Sequence, residues 1–300
     1  MVKKFKPVVF ILGVAVALFF LALYISQNNM GVFNPKGVIA LAERNLMVTT
    51  VGLMLIVVVP VFAMLAIFAW RYRASNTKAT YAPDWQNNKA LEIIWWTIPT
   101  IIIVILGTMT WVSSHQLDPF RPLDSNIKPI TVQVVALEWK WLFIYPEQNI
   151  ASVNFLQFPT GTPINFEITS DAPMNSFWIP QLGGQIYAMP GMSSKLHLMA
   201  TEAGEYKGSS SNFSGAGFSG MKFVAKASSQ EEFDQWVSTV RQSPVSLTSS
   251  TYEGLAERSM NAPVSYYASV AEKLYTTIVN KFTAPASLSA PTTMPGMETM

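Results

Sequence analysis

The sequence predicts a membrane α + β protein: a transmembrane helix hairpin, preceded by an N-terminal signal or anchor segment and followed by a β-domain and C-terminal helices. Three observations predict it. Half of the 300 residues are hydrophobic and 13% are charged, where a soluble domain carries about a quarter. Two long runs in the first third contain no charge at all. The middle of the chain is a series of short β-branched and aromatic runs divided by Pro, Gly and Asn clusters.

The first apolar stretch, Val8 to Ile25, follows Lys3, Lys4 and Lys6 and has the charged start and apolar middle of an export signal. Ser26-Gln27-Asn28-Asn29 offers no clear small-x-small cleavage site, which favours an uncleaved anchor and leaves cleavage open. The second stretch, Leu46 to Trp70, spans roughly 37 Å as a helix, enough to cross a bilayer with tilt. Pro60 interrupts it, as membrane helices tolerate. Trp70 and Tyr72 beside Arg71 and Arg73 read as interfacial anchors. The third, Ile93 to Val112, opens on Trp95-Trp96. Arg71, Arg73, Lys78 and Lys89 lie between the two hairpin runs, against Lys36 and Arg44 before them. The positive-inside rule therefore puts the hairpin loop in the cytoplasm and everything after about His115 outside.

Strands are expected at Ile130–Val135, Trp141–Tyr145, Ser152–Phe158, Ile164–Thr169, Ser176–Ile179, Lys195–Ala200 and Phe223–Ala227, a pattern of sandwich or barrel. Ser229 caps a helix Gln230–Arg241 with Phe233, Trp236, Val237 and Val240 on one face. Tyr266–Phe282 reads as a second amphipathic helix, and the Pro/Ser/Thr/Ala-rich end as disordered. The resulting divisions are 1–45 signal or anchor and linker, 46–112 hairpin, 113–228 β-domain, 229–282 helical extension and 283–300 tail.

The chain has no cysteine and two histidines, His115 and His197. Disulfides, thiolate metal sites, a cysteine nucleophile and a lipid-modified N-terminal cysteine are excluded. A net charge of +2 gives no case for nucleic acid. His115 is expected to pack or be solvated at the outer interface, and His197 to lie on the polar face of a strand. The tail thioethers Met294, Met297 and Met300 are a weak pattern for cuprous copper. Trp139 and Trp141 alternate in Leu137-Glu138-Trp139-Lys140-Trp141-Leu142-Phe143-Ile144-Tyr145-Pro146. They either fill a sandwich core or form a surface aromatic patch facing a redox partner.

A helix hairpin, then W-x-W-x-x-x-Y-P, then a β-domain resembles subunit II of the haem–copper oxidases, and more closely subunit II of the bo-type ubiquinol oxidases. The stretches that carry the likeness are Ala69–Asn76, Asn88–Pro99, Trp139–Gln148, Met174–Pro180 and Phe213–Met221, within roughly 34–282. The resemblance implies a cupredoxin-like sandwich. In the cytochrome c oxidase relatives that domain holds a binuclear copper centre built on soft sulfur ligands. The matching frame puts Ser210 and Ser214 at the cysteine positions, Asn212 at the glutamate, and Asn175 and Phe218 at the histidines. Only Met221 remains, and a thioether alone is too weak. Trp139 matches the electron-entry tryptophan of the copper-bearing branch; with no copper behind it, structural packing is the expectation.

The resemblance implies a non-catalytic subunit of a proton-pumping ubiquinol:oxygen oxidoreductase in the bacterial inner membrane. Haem b, haem o or a, copper and ubiquinone would then belong to subunit I. The partners would be subunit I and smaller membrane subunits, not cytochrome c. Glu92, in Lys89-Ala90-Leu91-Glu92-Ile93, sits where related oxidases place an acid at the entrance of a proton pathway. A role in stabilising a helix N-terminus explains it equally well. Many such subunits carry a lipid-modified cysteine; this chain departs from them. The alternative is a membrane-tethered periplasmic binding module unrelated to respiration.

Overall fold

The computed structural model describes residues 31–80 and 88–283, together with Gly13, Val16, Phe20 and Tyr24, which are helical. The rest of the first apolar stretch, with the question of its cleavage, and the methionine-containing tail lie outside the described residues. The chain divides into two compact units, residues 41–121 and residues 1–40 with 122–300.

The smaller unit is built from two helices, α1 (Val38–Arg71) and α2 (Lys89–Gln116). Both are long and apolar enough to cross a membrane. Only 0% and 6% of their most apolar windows are buried, which excludes the core helix of a soluble protein. Apolar side chains project all round α1, as lipid contact requires, and the helix runs on through Pro60. Asn88 caps α2 by accepting from the amides of Ala90 and Leu91 at 3.1 and 3.2 Å, satisfying two donors that a first turn leaves open. At the end of α1 the Arg73 guanidinium lies 4.3 Å from the Trp70 ring centroid.

The larger unit is a two-sheet sandwich. Its strands are β1 (Ile130–Leu137), β2 (Lys140–Tyr145), β3 (Ile150–Val153), β4 (Phe155–Pro159), β5 (Ile164–Ser170), β6 (Asn175–Trp178), β7 (Ile186–Ala188), β8 (Ser194–Leu198), β9 (Gly204–Ser210), β10 (Lys222–Ser228) and β11 (Ser265–Tyr267). One sheet has the order β11-β3-β2-β1-β5-β8 and the other β4-β10-β9-β6-β7. The pairs β1/β5 and β4/β10 are parallel, and every other pairing is antiparallel.

The run expected as one strand, Ser152–Phe158, is two strands in different sheets. Asn154 takes a left-handed φ of 56°, which an Asn tolerates better than a branched residue, and the chain crosses between layers there. Strand β9, Gly-Glu-Tyr-Lys-Gly-Ser-Ser, was not signalled by composition; pairing with β10 and β6 on its two sides makes it, a tertiary override of propensity.

The C-terminal part also departs from expectation. Helix α3 (Gln230–Arg241) forms as read, capped by Ser229 Oγ on Glu232 N at 3.2 Å, with Phe233, Val237 and Val240 buried. Tyr266–Phe282 is not one helix. Tyr266 and Tyr267 join β11 against β3, and a left-handed Lys273 (φ 60°) precedes the short α5 (Leu274–Asn280). An unexpected helix, α4 (Ser249–Ala256), starts at a Thr248 cap.

The sheets enclose an aromatic core. Phe177 and Phe223 stack at 5.2 Å and 6°, and Trp141 meets Phe177 edge-on at 5.3 Å. A second core covers the other face of the six-stranded sheet: Val135, Leu137, Leu142, Ile144 and Val153 pack under Leu247, Tyr252, Tyr267, Leu274, Tyr275 and Ile278 of the C-terminal segment. Asp171, its side chain 1% exposed, fastens this cover by accepting from Tyr252 Oη at 2.7 Å and pairing with Lys281 Nζ at 2.6 Å. Residues 34–40 belong to the same unit. Gly37 bridges Ala200, Lys36 N donates to Gln181 O at 2.7 Å, and Lys36 pairs with Glu202.

Burial pushes Tyr145, Tyr206, Tyr252 and Tyr275 above the ordinary phenol value of 10.0, Tyr275 to about 12. Desolvation pushes Lys140 the other way, below 10.5. Raised phenols stabilise the fold fully below pH 10 and lose that contribution as pH climbs through their folded values; the single lysine has the opposite slope. Four groups outweigh one, so stability is expected to fall above pH 10. Chemical denaturation of the detergent-solubilised chain from pH 8 to 11.5 checks this, and a midpoint that rises through pH 10 would contradict it.

Candidate functional site

Strand β6 begins at Asn175 and β9 ends at Ser210, neighbours in one sheet through the Phe177–Ser210 register. The loop from β9 to β10 carries the remaining residues singled out by the sequence, with a 3-10 turn at Phe218–Gly220. The fold brings Asn175, Ser210 and Asn212 together. Ser210 Oγ donates to Asn175 Oδ1 at 3.0 Å. Asn175 Nδ2 donates to Pro173 O at 2.7 Å, and Asn212 Nδ2 to Met174 O at 2.9 Å. Met221 is fully buried, and its carbonyl accepts from Ser210 N at 3.1 Å. Phe218 instead faces Phe213, ring edge to ring at 5.6 Å.

This donor set does not fit a binuclear copper centre. It offers hydroxyls, amides and one thioether, without thiolate or imidazole, and Asn175 and Ser210 already bond each other. Among the described residues no group of three or more His, Cys, Asp or Glu is placed to hold a metal ion.

Trp139 is not on strand β2. It lies in the turn between β1 and β2 at φ 62°, 8% exposed, while Trp141 is 0% exposed. Both side chains are interior, so the surface aromatic patch does not hold. The Trp139 indole donates to Ser214 O at 3.1 Å, and Gly217 lies so close to its ring that an added Cβ would overlap it. Two polar atoms here, Ser214 Oγ and Trp141 Nε1, are buried with no hydrogen-bond partner among the described residues.

The other candidates stand apart. Glu92 is an exposed acid in the first turn of α2. His115 Nδ1 lies 2.7 Å from Trp111 O. His197, expected on a polar strand face, is buried at 7% exposure with Nδ1 2.7 Å from Asn165 Oδ1. Sequence reasoning missed Lys140, which is 3% exposed and reaches Glu257 O at 2.7 Å and Ser259 Oγ at 2.6 Å. The signal was present: a lysine inside an apolar strand must have partners.

Known families match along most of the chain. Residues 34–111 match the cytochrome c oxidase subunit II transmembrane domain, 147–228 its periplasmic domain, and 241–286 the COX aromatic-rich motif. Cytochrome bo(3) ubiquinol oxidase subunit 2 of Pseudomonas putida is 55% identical over 260 residues, 87% of this chain and 83% of the relative. Its namesake in Pseudomonas aeruginosa is 54% identical over 261 residues (87% and 79%), and ubiquinol oxidase subunit 2 of Acetobacter aceti 49% over 263 (87% and 85%). The chain belongs to the ubiquinol oxidase subunit 2 family. As a member of that family it is a membrane protein, with α1 and α2 as its apolar spans and the sandwich as a cupredoxin-like periplasmic domain. The reading as a binding module unrelated to respiration falls with that membership.

The Gly217 contact is testable. Its φ of −88° suits any residue, so Gly217→Ala strains only the contact with Trp139. Overpacking of this kind costs about 2 kcal/mol. A lowered thermal midpoint of the purified protein is expected; an unchanged midpoint would mean the loop yields freely.

Proposed function

We propose that this chain is the structural subunit II of a proton-pumping ubiquinol:oxygen oxidoreductase, and that it holds no copper centre. In this reading it docks on a membrane-embedded subunit I that carries the haems, the copper and the quinol site. Smaller membrane subunits complete the complex in the bacterial inner membrane. The observation that carries the reading is the Asn175–Ser210 hydrogen bond: two positions aligned with copper ligands satisfy each other instead. A centre that accepts electrons from a water-soluble protein needs an imidazole and a thiolate at those positions. An enzyme fed by a lipid-soluble quinol does not need such a centre.

The orientation has two supports. The hairpin loop is basic. Residues 34–40 are hydrogen-bonded into the periplasmic domain, so the start of α1 shares its compartment, and two crossings return the chain to the same side.

Oxygen uptake by the purified complex tests the proposal. Uptake with ubiquinol and none with reduced cytochrome c is expected; uptake with cytochrome c would overturn the reading of the missing ligands.

Glu92 is proposed as an acid at the cytoplasmic entrance of a proton pathway into the partner subunit. It precedes an uncharged membrane run and its side chain is exposed, and acids at that boundary often relay protons. Glu92→Ala is expected to slow turnover and proton uptake several-fold, with Glu92→Asp retaining most of both. Equal rates in the wild type and the alanine variant would leave Glu92 with its helix-terminus role alone.

A further inference from the structure

The loop joining β9 to β10 should be pliant by its sequence. Residues 209–220 are Ser, Gly, Asn, Ala and two Phe, and glycine loses the most backbone freedom on ordering. The loop is nevertheless pinned along its length. Trp139 Nε1 donates to Ser214 O at 3.1 Å. Gly217 lies flat against the same indole, and a Cβ on Gly215 would come within 3.3 Å of it. Gly220 abuts the Asn261 side-chain oxygen with no room for a Cβ.

These contacts lead to one short piece of the C-terminal segment, residues 257–262. The Arg258 guanidinium lies 5.3 Å from the Trp139 ring centroid and pairs with Glu138 at 3.3 Å. The same piece is tied to the sandwich by Lys140 Nζ on Glu257 O and Ser259 Oγ, and by Asn154 Nδ2 on Ala262 O at 2.8 Å. Asn154 in turn accepts from Trp141 N at 2.9 Å. Trp139 and Asn261 both sit at positive φ, 62° and 53°. A bulky residue holds that conformation only where its surroundings over-determine it.

We propose that residues 257–262 are a brace that fixes the 213–220 loop by holding Trp139, with Arg258 and Asn261 as its positioning residues. A stacked cation, an ion pair and a side-chain stop make the cross-link, on the loop that carries Ser214, Phe218 and the 77% exposed Phe213. Arg258 is itself well exposed, so its replacement removes the brace without opening the core.

Amide hydrogen exchange on the intact chain, purified from membranes with its associated subunits, tests this. Arg258→Gln is expected to speed exchange across 213–220 about five-fold, the size of a partly exposed cation–π contact. Amides of β1, β2 and β5 should keep their rates. Arg258→Lys, which keeps the charge beside Glu138 but loses the two-pronged pairing and the planar stacking, should fall between wild type and Arg258→Gln. Asn261→Gly, which keeps the backbone conformation and deletes the stop, should loosen 218–220. Unchanged loop exchange in Arg258→Gln and Asn261→Gly would overturn the proposal, as would exchange that rises throughout the domain.

Discussion

The six-stranded sheet is apolar on both faces, and the architecture of the periplasmic domain follows from covering it twice. Strand β2 is buried along its entire length. Trp141, Phe143 and Tyr145 belong to the core shared with the other sheet, and Leu142 and Ile144 to the one under the C-terminal segment. Burying apolar area is the main favourable term in folding, so a segment closing the second face is part of the domain's stability. Its fastenings agree. Asp171 accepts from one side chain near each end of the cover, and Tyr275 meets Ser193 at 2.8 Å. A buried carboxylate without such partners would be costly.

How much of this was legible depends on the range of the forces involved. The two membrane runs were plain because lipid makes the same demand at every residue. The start of α1 was not: residues 38–45 include Glu43 and Arg44, and nothing in their polarity announces a helix beginning at Val38. Helix α3 was readable because its cap and apolar face lie within one short window. Tyr266, Val270, Leu274 and Ile278 repeat every fourth residue, so a helix was the local answer. The edge of β3 overrode it by pairing with residues 265–267. Strand β9 and the break at Asn154 are likewise set by partners distant in sequence.

The site divides along the same line. Asn175, Ser210 and Asn212 were found through resemblance, but their mutual bonds link residues 35 apart and no spacing rule reaches them. The alternation of Trp139 and Trp141 implied two residues on one face of one strand. Both do reach the same core, but Trp139 arrives from a left-handed turn, and its neighbours come from the glycine loop and the C-terminal segment. Lys140 between them carries a signal of its own, because a cation in an apolar strand is a demand for acceptors.

Resemblance alone leaves open why polar residues, rather than apolar ones, occupy the positions aligned with copper ligands. The backbone around them answers it. The carbonyls of Pro173 and Met174 at the head of β6 accept from the Asn175 and Asn212 amides, and Ser210 Oγ also reaches Asn212 O at 3.3 Å. Asn175 and Ser210 are themselves buried, and leucine or alanine at either would take one partner out of their hydrogen bond and leave the other's polar atom short of it, at about 1–3 kcal/mol. The amides and the hydroxyl are therefore retained by the demands of strand ends and a loop. They are hard, neutral groups already engaged with backbone carbonyls and with one another. Ser214 differs: its carbonyl accepts from Trp139 Nε1, while its buried hydroxyl has no hydrogen-bond partner among the described residues. At that position it is the backbone, and not the side chain, that holds the loop.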